Sequence, residues 1–170
     1  RLRWRTAGEE SVSARQMNKQ FKTYWEDFKT GERKSIGSVV VDKDEVIEFA
    51  SRYDPQPFHV DEQAARQSIY GGLIASGWHT CSMVMRLMCD SYLLESASLG
   101  SPGIENVRWL RPVRPGDTLT AYRTIEETRV SASRPDRGIV KSLWEVDNQK
   151  GELVLTMSGI QFFLRRNPET

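Results

Sequence analysis

From residue 104 to residue 165 the chain is one long β-type run after another. Residues 104–110, 118–130, 138–147 and 152–165 alternate apolar and polar side chains or are rich in β-branched ones. The breaks between them are turns with a mechanism. Arg-Pro-Gly-Asp at 114–117, Arg-Pro-Asp-Arg-Gly at 134–138 and Asp-Asn-Gln-Lys-Gly at 147–151 combine fixed φ at Pro, free φ at Gly and Asx-type bonds. Long strands joined by short turns make an antiparallel sheet, and one face of it must be covered. The sequence supplies a cover in one long helix. From Gly77 onward Trp78, Cys81, Met85, Met88 and Tyr92 recur at three and four, and Val84 and Leu87 widen the stripe. The spacing predicts a helix over 77–95, fading into the Ser/Gly/Pro-rich turn 96–103, with Met83, Met85 and Met88 in the core. The expected class is α+β, with an antiparallel sheet wrapped round one helix.

The half before that helix is shorter-grained. Residues 35–41 read as a strand. Asp42, with Glu45 three residues later, marks a helix start, and Val46, Phe49 and Ala50 carry an apolar stripe to about Tyr53. Pro55 and Pro57 stop that helix. Residues 61–67 suit a short helix, and Tyr70-Gly71-Gly72 a loop.

Composition narrows the classes. At 170 residues, Lys+Arg 24 against Asp+Glu 23 leaves a formal charge of +1, so a basic face for nucleic acid is not expected. No apolar run approaches the roughly 18 residues of a membrane helix, and no signal-peptide h-region is visible. Residues 1–16 lack any period and precede Met17. They read as a disordered or non-native leader, leaving 17–170 as a single domain. Cys81 and Cys89 fall on one predicted helix, about 12 Å apart, beyond the ~7 Å Cα limit for a disulfide. Reduced thiols and a cytoplasmic setting follow as expectations.

The two histidines, His59 and His79, are the natural place to look for chemistry. The first ends Asp54-Pro55-Gln56-Pro57-Phe58-His59. Two prolines stiffen the link between a carboxylate and an imidazole, the arrangement general acid–base work needs around one water. The same segment also suits a solvated loop with an N-capping Asp and an imidazole packed on Phe58. Gly77, at the predicted helix start, offers a free N–H with the helix dipole behind it, suited to a carbonyl or oxyanion. A close-packed turn is the plainer account of that glycine. His79 reads as a structural or pocket-lining residue, and the cysteines as small apolar groups in the helix. His59, Asp61 and His79 lack zinc spacing, so neither metal nor cofactor is expected.

The motifs Asp54-Pro-Gln-Pro-Phe-His59, Asp61 and Tyr70-Gly-Gly-Leu-Ile-Ala-Ser-Gly77 resemble the MaoC-like dehydratases, which include the (R)-specific enoyl-CoA hydratases. Arg111-Pro-Val-Arg-Pro-Gly-Asp117 resembles the family's strand-end segment. The resemblance covers about residues 21–164. It implies a hotdog fold, homodimers whose sites use both subunits, and reversible addition of water to a trans-2-enoyl thioester carried by CoA or acyl carrier protein. Asp54 and His59 match the catalytic pair, and Gly77 the residue whose N–H binds the thioester carbonyl. Gln56, Gly72, Ile74, Ser76 and Trp78 are the implied substrate-pocket residues. The chain departs from the family at Gln56, where the family has Asn, at Ser76, where it has His, and at Met85, where some members have Ser. An acyl-CoA thioesterase and a non-catalytic acyl-thioester binding subunit are the competing functions. Exposed sheet edges and a half-open site independently favour pairing of two copies.

Overall fold

The computed structural model describes residues 21–167; the expected leader at 1–16 lies outside them. The strands are β1 (Arg33–Val40), β2 (Ser98–Gly100), β3 (Ile104–Trp109), β4 (Thr118–Val130), β5 (Arg137–Asp147) and β6 (Leu153–Leu164). They form one antiparallel sheet in the order β1-β4-β5-β6, with β2 and β3 both paired to the outer edge of β6. The helices are α1 (Lys43–Tyr53), α2 (Pro57–Val60), α3 (Glu62–Gln67) and α4 (Gly77–Met88).

Alternation along the strands sets the inner face. Leu119, Ala121 and Ile125 of β4, Val140, Trp144 and Val146 of β5, and Leu155, Met157 and Phe163 of β6 are buried on it. Met83, Val84 and Met88 of α4 share one cluster with Leu119, Ala121, Trp144, Val146, Leu155 and Met157, so the sheet wraps the helix. This is the α+β hotdog arrangement. A satellite cluster of Phe28, Ile125, Val140 and Phe163 closes one end, with Trp25 packed against it.

Local signals explain the smaller elements. Asp42 caps α1 by accepting from the Glu45 amide at 2.9 Å. Asp61 caps α3 through the amides of Gln63 and Ala64. Pro57 stands at the first position of α2, where a missing N–H costs nothing, so His59 sits on a short helix rather than in an irregular loop.

Three expectations are corrected. The 77–95 helix is α-helical only to Met88, and a π-helical turn, Cys89–Leu93, continues it. The buried face of α4 is rotated from the predicted stripe: His79, Thr80, Met83, Val84 and Met88 are inside, while Trp78 and Met85 are 60% and 46% exposed. Trp78 instead meets Trp109 of β3 edge to face, at 5.4 Å between ring centres. The region 96–103, read as a turn, contains β2, too short to show a period.

Gly138 lies under the Trp25 indole, and a Cβ there would overlap the ring. Gly138→Ala is expected to destabilise by about 1–3 kcal/mol as an overpacked site. Urea unfolding measures the loss, and Trp25 fluorescence reports displacement of the ring.

Candidate active site

An extended, buried segment from Leu73 to Ser76 leads into α4, and its polar groups are taken from both sides. The Ile74 amide donates to the Phe58 carbonyl at 3.2 Å, and the Ala75 amide to the Val113 carbonyl at 2.8 Å. Val113 belongs to the turn 111–117. That turn is held by the Arg114 amide on Asp117 Oδ2 at 2.8 Å, and Arg114 Nη2 donates to the Tyr70 carbonyl at 2.6 Å.

On the other side, His59 Nδ1 lies 2.8 Å from the Ile74 carbonyl oxygen. A carbonyl only accepts, so Nδ1 carries the proton and the Nε2 of neutral His59 keeps its lone pair. That lone pair faces Asp54, with Nε2 3.4 Å from Oδ2.

The Asp54 carboxylate is oriented by two donors. Ser76 Oγ donates to Oδ2 at 2.7 Å, and Gln56 Nε2 donates to Oδ1 at 2.8 Å. Ser76 is fully buried, and its oxygen also accepts from the Trp78 amide. The Ser76 hydroxyl, then the Gln56 amide, hold the Asp54 carboxyl below its usual range. Partial burial opposes them, and the charge of a protonated His59 imidazole adds to the lowering. Asp54 is therefore a carboxylate at neutral pH.

Asp54 and His59 open on a cavity of about 500 Å³. Gly77, Gln56, Ile74 and Trp78 also line it. Gly72 and Ser76 do not. Gly72 packs under the Arg114 guanidinium, and Ser76 is sealed behind Asp54, acting on the carboxylate rather than on the cavity.

The Gly77 amide is a first-turn donor of α4 with no hydrogen-bond partner among the described residues. The Trp109 indole lies flat against Gly77, where a Cβ would stand 2.5 Å from Cε2, and its Nε1 donates to the Gly77 carbonyl at 2.9 Å. The site at this position therefore requires glycine.

Sequence reasoning missed Trp109, Tyr70, Phe58, Leu110 and Arg111 in the cavity wall. Trp109 comes from an edge strand distant in sequence, and nothing local marks it except its place beside Arg111-Pro112. His79 lies apart from the cavity. It is buried and stacked on Phe49 at 4.9 Å, and burial lowers its pKa. Burial likewise raises the Cys81 thiol. Among the described residues no three His, Cys, Asp or Glu side chains are grouped to hold a metal ion. No helix of the described residues is long and apolar enough to cross a membrane.

Comparison with known proteins gives the same geometry a lineage. The MaoC-like domain family matches residues 27–146. The crystal structure of a MaoC-like dehydratase from Rhodospirillum rubrum superposes with a TM-score of 0.78 and 40% identity, over 85% of this chain and 99% of that one. The Bacillus subtilis protein YdeM is 29% identical over 125 residues, 74% of this chain and 87% of its own length. An (R)-specific enoyl-CoA hydratase of Rhodospirillum rubrum is 26% identical over 106 residues, 60% of this chain and 69% of its own. With more than half of its length matched by the family, and with that family's sheet-wrapped helix, the chain belongs to the MaoC-like domain family.

Proposed function

We propose that the chain is a hydro-lyase that adds water reversibly to a trans-2-enoyl thioester of CoA or acyl carrier protein. The observation that carries this reading is the approach of Asp54 Oδ2 and His59 Nε2 to 3.4 Å at the wall of the cavity. With the imidazole neutral both atoms present lone pairs, and a water on the cavity side of the pair donates to both and is held by its protons. The likeness to an (R)-specific enoyl-CoA hydratase supports the same reading.

In the hydration direction the water oxygen bonds to the β-carbon as one of its O–H bonds breaks. The π pair of the double bond moves toward the thioester, and a proton is delivered to the α-carbon. The Asp54–His59 pair takes the proton released from the water and returns it to the α-carbon, so the charge of the pair is unchanged over the step. The Gly77 N–H receives the thioester oxygen as negative charge develops on it, a contribution of roughly 3–4 kcal/mol by analogy with deletion of an oxyanion donor.

Pairing of two copies belongs to this proposal. The cavity is bordered by exposed Trp78 of α4, Trp109 at the end of the edge strand β3, and Leu110 just past it. A second protomer there would cover both the apolar rings and the open strand edge.

Three outcomes test the proposal. Asp54→Asn and His59→Ala should each lower crotonyl-CoA hydration about 10²–10⁴-fold, followed as loss of the conjugated thioester absorbance. Unchanged activity in both variants would refute the assignment, and thiol release in place of hydration would favour a thioesterase. Ser76→Ala should raise the Asp54 pKa and move the acid limb of kcat/KM to higher pH. Because the native carboxyl is held below its unfolded value, the stability it contributes exists above the ordinary carboxylate pKa and is lost as pH falls through the native value. The same variant should therefore cost about 1–3 kcal/mol at neutral pH and progressively less in acid, read by urea unfolding across pH. Sedimentation at micromolar concentration should give a dimer or larger, and a monomer would argue against a shared site.

A further inference from the structure

The far end of the central helix holds a second cavity, of about 300 Å³. That is the lower end of ligand-pocket volumes, about 300–1,000 Å³. Ser91 and Tyr92 come to it from the π-helical turn, Phe28 from the segment preceding β1, and Arg123 from β4. The π turn that carries Ser91 and Tyr92 is a distortion that recurs at functional sites. Gly77 lies at the opposite terminus of α4, whose 12 residues span about 18 Å.

Arg123 is the anomaly. It stands on the inner face of β4 between Ala121 and Ile125, where every neighbour in the alternation is apolar. It is 6% exposed, and its Nη1 is fully buried without a hydrogen-bond partner. Among the described residues its side chain makes neither an ion pair nor a hydrogen bond. The Tyr92 and Phe28 rings flank the guanidinium at 4.1 and 4.9 Å. Those faces attract the cation but satisfy none of its N–H donors.

Two carboxylates line the same cavity, and each already has its own cation. Asp27 pairs with Arg166 at 2.7 Å, and Glu32 with Lys34 at 2.7 Å. Among the charged groups that line the cavity, Arg123 is therefore the one without an ion pair of its own. Beside it, the cross-strand neighbour Trp144 has a buried Nε1 that is also unpaired. A buried charge without a partner is costly to keep, and the cost is relieved when an anion arrives.

We propose that this cavity binds a small organic carboxylate, with its oxygens on the Arg123 guanidinium and its short apolar stem against Phe28 and Tyr92. A planar carboxylate matches the guanidinium fork. The aromatic walls suit a hydrocarbon stem, and the nearby Asp27 and Glu32 disfavour a doubly charged phosphate. The site is independent of the thioester reading.

The test follows thermal unfolding of the full chain with butyrate, inorganic phosphate or chloride at matched ionic strength. Butyrate should raise Tm saturably, as a ligand of the native state does, while phosphate and chloride should give equal, smaller changes. Arg123→Met should abolish the butyrate shift. Ser91→Trp, at an exposed position on the π turn, should plug the mouth and weaken butyrate at least tenfold, which keeps the test decisive if Arg123→Met fails to fold. No saturable shift in the wild type, or a shift that survives in either folded variant, would overturn the proposal. A phosphate shift matching that of butyrate would overturn the choice of a carboxylate.

Discussion

The site depends on one buried, extended stretch of backbone, Leu73 to Ser76, gripped from both sides. Such a segment has no helix or sheet of its own to satisfy its peptide groups, so each must find a partner elsewhere. Phe58 and Val113 supply acceptors, and the His59 imidazole supplies a donor. The hydrogen bonds that solve this accounting also place the chemistry. The Ile74 carbonyl selects the tautomer of His59, and Ser76 at the end of the segment aims the carboxylate of Asp54. The helix then starts at Gly77, which lines the cavity.

Two consequences follow for electrostatics. Asp54 is kept ionised by a neutral hydroxyl and a neutral amide, so its charge is not cancelled by a fixed cation. The carboxylate also retains some contact with solvent through the cavity, which limits the cost of its charge. The Ser76 hydroxyl does the orienting, and its complete burial takes it out of the cavity wall.

Much of this was legible in order along the chain. Asp42 and Asp61 read as helix starts because capping is decided within four residues. Strands β4, β5 and β6 read correctly because their inner and outer faces differ over ten residues or more. The proline-framed Asp54–His59 segment was visible because Pro restricts local backbone whatever packs on it. The rotation of α4 was not visible. Trp78, Cys81 and Met85 form as good an apolar row as Met83, Val84 and Met88, and a helix with two such rows does not say which one the sheet will take.

Local residue chemistry by itself therefore determined most of the element types and the α+β class, and it pointed to the Asp54–His59 segment, since caps, prolines and side-chain period act over a few residues. Tertiary structure alone decided that Trp109 would lie on Gly77, that Ser76 would reach Asp54 across 22 positions, and that Arg123 would be buried among aromatic rings. Those contacts join segments remote in sequence. Their energies depend on which surfaces the sheet brings together as it closes round the helix, and no local pattern encodes that closure.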